Sequence, residues 1–266
     1  MKSGFRVFLA TFVALGISWC GLVLAPVLQL GTEKQTTVLI SGDTYPVQRA
    51  GAATLGLQVY RANGCAACHT EQIQQGGVGF EIVLTGAGKN PAALTNLIST
   101  LKLTGLTKEE ADAANSKITA AGGKVETHLV PTGADISRGW GVRRSVAADY
   151  LYDYPVQLGS LRIGPDLADV GARLGNADWQ MLHLYAPQCV VKNSAMPPFR
   201  FLFATKKIGD APSPDALNLP PEFAPPAGYE VVPTDDAKNL VAYLLSLRAD
   251  VPLYEAPFTP QAAEKK

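Results

Sequence analysis

The sequence predicts a mainly α-helical protein with an apolar N-terminal helix and a small α+β unit inserted into its main domain. An uncharged stretch covers residues 7–30. Apolar residues recur at helical spacing after this stretch and again near the C-terminus. Residues 78–130 instead combine runs in which apolar and polar residues alternate with runs of helical spacing. The 266 residues can bury a sizeable core. Zero formal net charge gives no overall field that would attract nucleic acid, so none is expected as a partner.

The apolar N-terminal stretch is long enough to cross a membrane. At about 1.5 Å per residue, it spans the roughly 30 Å hydrocarbon layer. Lys2 and Arg6 precede it, so the positive-inside rule places the N-terminus in the cytoplasm and the rest of the chain across the membrane. A cleaved signal peptide is the alternative, but its apolar core is normally shorter. We expect residues 1–30 to be an uncleaved single-pass anchor, followed by a linker over residues 31–48.

The main domain, residues 49–77 and 131–250, is expected to be built on two crossing helices. One covers residues 49–63, and the other covers residues 234–248 with two aspartates in its first turn. We expect them to cross at Gly56, where a missing side chain allows close approach.

Two further segments complete this domain organisation. Seven prolines recur between residues 208 and 233, which predicts an extended surface segment without packed elements. Residues 251–266 are expected to form a C-terminal tail.

Residues 78–130 are predicted to form a separate β-α-α-β unit. Thr107 and Glu110 have the spacing of a capping box, and two glycines follow the helix that they would begin. The four predicted elements cover residues 80–84, 91–103, 107–121 and 124–130.

The segment Cys65-Ala66-Ala67-Cys68-His69 is a C-x-x-C-H motif. Its two thiols can each add to a haem vinyl group, and the adjacent histidine then lies under the iron. The alternatives are a thioredoxin-like redox pair and half of a zinc site. No second C-x-x-C occurs in the sequence, and no βαβ pattern surrounds this one. The motif therefore predicts one covalently attached haem c, with His69 as the proximal iron ligand.

The ligand on the other side of the iron must come from few candidates, since methionine occurs only at positions 1, 181 and 196. Met1 would lie across the membrane, and Met181 fits core packing in an amphipathic helix. Met196 is followed by two prolines that stiffen its loop, so we favour it over His183 and His128. With both axial positions filled by protein, the haem would transfer electrons and bind no substrate.

A turn at Gly164-Pro165 is the next candidate for the site. Such a turn can present a backbone carbonyl to the free ring nitrogen of His69 and fix the orientation of that ligand; an ordinary surface turn is the alternative. Arg162 is expected near a haem propionate, because guanidinium pairs well with carboxylates, although exposed arginines are common.

The order of these features resembles the monohaem cytochrome c subunit (subunit II) of cbb3-type haem-copper oxidases. The most specific part is the run Tyr-Asp-x-Pro-x-x-x-Gly-Ser-x-Arg-x-Gly-Pro-Asp-Leu. The matching segments are residues 56–60, 65–69, 152–167, 183–187 and 196–197.

The resemblance implies a class I cytochrome c-like domain whose haem is held by Cys65, Cys68, His69 and Met196. It implies electron transfer to a catalytic subunit, with oxygen reduction on that other chain, and partnership with further cytochrome c subunits and membrane lipid. It also places the protein in the bacterial inner membrane with its haem domain in the periplasm.

Residues 78–130 depart from this family's pattern. Residues 80–88, 107–111 and 120–126 are similar to the C-terminal domain of the ribosomal stalk protein, which implies a fold and a docking or spacer role. Two other functions stay open: a membrane-anchored electron carrier or cytochrome subunit of a periplasmic dehydrogenase, and a haem-free thiol-disulfide protein.

Overall fold

A computed structural model describes residues 2–31, 33–86 and 91–258 of the chain. The fold is mainly helical, as predicted. Helix α1 (Lys2–Trp19) continues through a π-helical turn (Cys20–Leu24) into α2 (Ala25–Leu30). The π turn ends two residues before Pro26, which has no backbone N–H to donate. By length and composition, the stretch Ser3–Gln29 is a candidate membrane helix, and none of it is buried against the rest of the chain.

Two crossing helices form the centre of the main domain. They are α3 (Gly51–Ala62) and α10 (Asp235–Ser246), and the side chain of Thr234 caps the latter. A Cβ atom on Gly56 would lie 2.6 Å from the backbone carbon of Asn239 and 2.7 Å from Cβ of Tyr243. The prediction that these helices cross at Gly56 is confirmed.

The main core surrounds this crossing. The Tyr60 and Tyr243 rings pack 5.2 Å apart. Short helices lie against the pair: α7 (Val170–Arg173), α8 (Ala177–Tyr185) and α9 (Pro187–Val190). Asn176 begins α8 by accepting a hydrogen bond from the backbone N–H of Trp179.

A hairpin closes one side of this core. Strand β5 (Phe203–Lys207) pairs antiparallel with β6 (Tyr229–Pro233). The prediction that residues 208–233 contain no packed element is therefore wrong at its end, where Val231 is fully buried. Between Gly228 and Pro233 the chain has its backbone donors, so it can form a ladder; Pro233, which has none, ends the strand.

The segment 77–132 has a core of its own. Strand β3 (Gly77–Gly86) pairs antiparallel with β4 (Lys124–Thr132), and helices α4 (Pro91–Ser99) and α5 (Lys108–Ala120) pack on them. The capping box of Thr107 and Glu110 is present as predicted. Helix α4 ends earlier than expected, because the residues after it run beside β3, where Leu103 accepts a hydrogen bond from Ile82.

The segments predicted as a linker and a tail both contact the main domain. The first forms a minimal hairpin of β1 (Thr36–Thr37) and β2 (Thr44–Tyr45). Val38 and Leu253 then share a small apolar cluster with Val146 and other residues. The short helix α6 (Ala134–Ser137) follows β4 directly. The predicted domain boundaries themselves stay predictions.

Candidate functional site

The C-x-x-C-H motif lies in a tight turn after α3. Gly64 adopts a left-handed conformation with φ of 66°, and a 3₁₀ turn covers Cys65–Ala67. The backbone N–H groups of Cys68 and His69 both donate to the carbonyl of Cys65, at 3.1 and 3.0 Å. The turn therefore keeps both cysteines and the histidine on one short loop. Both thiols are free and half-buried.

The thiol of Cys65 is poorly suited to redox exchange. Burial raises the pKa of this thiol well above its ordinary range, to about 11. At neutral pH, it is therefore a protonated thiol, whereas reactive cysteines of thioredoxin-like proteins have lowered pKa values. This environment disfavours the thiol-disulfide alternative.

The imidazole of His69 is held by the turn at Gly164-Pro165. Its Nδ1 atom lies 2.8 Å from the carbonyl oxygen of Pro165. A carbonyl only accepts, so Nδ1 carries the proton, and Nε2 keeps the lone pair that a metal ligand needs. Burial lowers the pKa of His69, and the Pro165 carbonyl opposes this shift. The ring is therefore neutral near pH 7.

Gly164 explains why the turn can come so close. A Cβ atom at this position would lie 2.6 Å from Nδ1 of His69 and closer still to Cε1. Only glycine leaves room for the ring. On the other side of the turn, Gly159 lies against the backbone of His69 and Thr70 with φ of 81°.

Arg162 is engaged with protein groups. Its guanidinium contacts both carboxylate oxygens of Asp135 at 2.6 and 2.8 Å and donates to the carbonyl of Gln72 at 2.6 Å. The expectation that it lies near a haem propionate stays a prediction. Asp135 was missed by sequence reasoning, because a charge on a short helix is ordinarily solvated and nothing local indicates its partner 27 residues away.

Met196 lies in the loop between α9 and the 3₁₀ turn Arg200–Leu202. It is half-buried and packs against the main core, and its backbone N–H donates to Ser194 Oγ at 3.3 Å. Asn193, with φ of 66°, begins the tight part of this loop. The loop thus presents a thioether with one side supported.

The other ligand candidates have different surroundings. Met181 is half-buried on α8 against the main core. His183 stacks on Trp179 with ring centres 4.8 Å apart. Burial is the main cause that lowers the pKa of His183. His128 lies on β4, 3.6 Å from Glu126.

Glu71, two residues after His69, was also missed by sequence reasoning. Its carboxylate is buried and accepts the hydroxyl of Tyr243 at 2.9 Å, while its carbonyl accepts the hydroxyl of Tyr150 at 2.7 Å. Burial raises its pKa to about 7. It joins the motif loop to the helix crossing. The available signal was its position as the lone charge between residues 70 and 80.

The residues present fit a haem. The site offers two free thiols, an imidazole with a lone pair on Nε2 and a supported thioether. Several apolar side chains that pack against the main core are only half-buried. A bound porphyrin would cover the surface that they leave exposed. They include Ala66, Leu174, Cys189 and Phe199. A separate cavity of about 300 Å³ is lined by Glu71 and Tyr150 among others, and by none of Cys65, Cys68, His69 and Met196.

A comparison with known protein families bears on the same residues. Residues 131–216 match the family described as "Cytochrome C oxidase, mono-heme subunit/FixO". The matched segment contains the Gly164-Pro165 turn, α8 and Met196, and it lies outside the C-x-x-C-H motif. No curated protein matches the chain in sequence. The resemblance recognised in the sequence is confirmed over residues 131–216, which match the mono-heme subunit of cytochrome c oxidase.

Proposed function

We propose that this chain is a membrane-anchored monohaem c-type cytochrome that passes electrons to the catalytic subunit of a cbb3-type haem-copper oxidase in aerobic respiration. One observation supports this most strongly, the 2.8 Å contact between His69 Nδ1 and the Pro165 carbonyl. His69 belongs to the C-x-x-C-H motif, and Pro165 belongs to the segment that matches the oxidase subunit. The contact joins two independent indications into one site.

Each residue has a role in holding the haem. Cys65 and Cys68 would attach it through thioethers, and His69 Nε2 and the Met196 sulfur would bind the iron. When bound, the haem would give the chain a redox centre that carries one electron. The Pro165 carbonyl fixes the tautomer of His69 and increases its basicity. With both axial positions occupied, the chain is a non-catalytic subunit, and oxygen is reduced on another chain.

The membrane arrangement follows from the N-terminal helix. The candidate span Ser3–Gln29 would anchor the chain in the bacterial inner membrane in contact with lipid. Lys2 and Arg6 would stay in the cytoplasm, which places the haem domain in the periplasm. Its partners there would be the haem-copper catalytic subunit and other cytochrome c subunits.

The test is purification of the full chain in mild detergent from its native membrane. We expect covalent haem stain on a denaturing gel, one haem per chain, and co-purification of a multispanning haem-copper subunit. The double variant Cys65→Ala/Cys68→Ala should lose the stain, whereas Cys189→Ala, which alters a cysteine outside the motif, should keep it. A wild-type chain without covalent haem would refute the proposal and favour the thiol-disulfide alternative.

A second function is favoured by one observation. The unit 77–132 has its own core and lies almost entirely outside the matched segment. As a docking unit or spacer, it would direct the cytochrome to a different complex. The chain would then be a free anchored carrier or the cytochrome subunit of a periplasmic dehydrogenase. Covalent haem without a haem-copper partner would be the expected result.

A further inference from the structure

Three charged residues meet beside the turn that holds His69. Arg162 lies between Asp135, at 2.6 Å, and Asp166, at 3.6 Å. The side chains of the two aspartates are 2% and 0% exposed, and that of Arg162 is 25% exposed. We call these three residues the Arg162 cluster. Buried charges at this depth are retained only where paired and hydrogen-bonded, and each member makes several bonds.

The bonds of the cluster fasten the chain that follows His69. The Asp166 carboxylate accepts hydrogen bonds from the Thr70 hydroxyl at 2.5 Å and from the backbone N–H of Gln72 at 2.8 Å. Arg162 donates to the Gln72 carbonyl at 2.6 Å, and Asp135 accepts the N–H of Gln74 at 2.7 Å. Every second residue from 70 to 74 is therefore tied to the cluster.

Backbone hydrogen bonds and the cluster together fix the turn itself. The backbone N–H of Gly164 donates to the backbone carbonyl of Cys68 at 2.9 Å, and that of Leu167 donates to the backbone carbonyl of Thr70 at 2.7 Å. Pro165 lies between these two bonds, and Asp166 accepts the N–H of Ala168 at 2.9 Å. The Pro165 carbonyl is therefore held against His69 by these backbone bonds together with the cluster.

We infer that Asp135, Arg162 and Asp166 are positioning residues that hold the Pro165 carbonyl against His69 Nδ1 and so set the reduction potential of the haem. This inference rests on the proposed function. A strong bond from Nδ1–H to a carbonyl makes the imidazole a more basic ligand. A more basic ligand stabilises ferric iron and lowers the potential, so opening the cluster should raise it.

Arg162→Met gives the sharpest test, because two explanations predict opposite signs. Loss of a positive charge near the haem, acting alone, stabilises ferric iron and lowers the potential. Loss of positioning raises it. We expect the ferrous-to-ferric ratio at a fixed ambient potential to rise about tenfold, which is about 59 mV for a one-electron couple. Arg162→Gln repeats the test with a polar side chain in case the first variant does not fold.

Arg138→Gln is the matched control. Arg138 lies 3.9 Å from the same Asp135 carboxylate, but its side chain is 56% exposed, and its ion pair does not reach the turn. Its removal should leave the potential unchanged. A second readout is the exchange rate of the His69 Nδ1 proton with solvent, measured by NMR in the ferrous protein. If the bond to the Pro165 carbonyl is loosened, this exchange should be at least about tenfold faster in Arg162→Met.

The measurements use the full chain in detergent with its haem. Wild-type protein without covalent haem would overturn both the inference and the proposed function. Haem-loaded wild type, together with an unchanged or lowered potential in Arg162→Met, would overturn the inference alone. A raised potential with faster proton exchange in Arg162→Met, and neither change in Arg138→Gln, would support it.

Discussion

Gly56→Ala should weaken the central helix crossing. The new Cβ would meet backbone atoms of Asn239 and lie 2.7 Å from Cβ of Tyr243. These atoms belong to α10 and cannot rotate away, so the helices must separate. Overpacking of this kind costs about 1–3 kcal/mol, and the upper end applies where backbone is struck. Alanine regains about 1 kcal/mol of helix propensity. A net loss of about 2 kcal/mol in the free energy of unfolding is expected.

The assay is denaturant unfolding of the purified full chain, followed by far-UV circular dichroism. Gly51→Ala is the matched control, since Gly51 begins the same helix and an added Cβ there meets no atom within 4 Å. That control should keep or slightly raise stability. Equal stability of Gly56→Ala and wild type would refute the argument that the crossing depends on a missing side chain.

Three further predictions concern the site and its surroundings. Met196→Ala should abolish the weak absorption near about 700 nm that reports iron–sulfur ligation, while His183→Ala should keep it; the opposite pattern would make the histidine the distal ligand. Gly164→Ala should displace the His69 ring and reduce covalent haem per chain by pyridine haemochrome, and full haem content with an unchanged spectrum would contradict this. Burial raises the pKa of Asp169 from 3.8 to about 6, so its ionisation is harder in the folded chain. Stability should fall by up to about 3 kcal/mol as pH rises from about 4 to about 6; Asp169→Asn should flatten this dependence, and equal slopes would count against it.

Local signals in the sequence predicted several elements correctly. Gly56 located the helix crossing because close approach of two helices requires a missing side chain at a definite position. Thr107 and Glu110 located the start of α5 because both halves of a capping box lie within one turn. In each case, the determining residues are neighbours in the chain or face a predictable partner.

Other features depended on partners that local patterns do not reveal. Seven prolines concealed β6, although of these only Pro233 lies in the strand, at its end. Glu71 and Asp135 are of residue types that normally lie on the solvated surface, yet both are buried. Their partners lie 172 and 27 residues away. Burial of a charge depends on such distant pairing, which requires the folded chain.

The position of the 77–132 unit is explained by the way it joins the main domain. Its strands leave and return side by side: Gly77 pairs with Thr132, and the N–H of Gly76 donates to the carbonyl of Thr132 at 2.7 Å. Because entry and exit coincide, such a unit can occupy this point without displacing the residues around His69. The chain then enters α6, where Asp135 contacts Arg162 at 2.6 Å. The same short connection that accommodates the unit thus supplies the carboxylate that we infer to position the haem ligand.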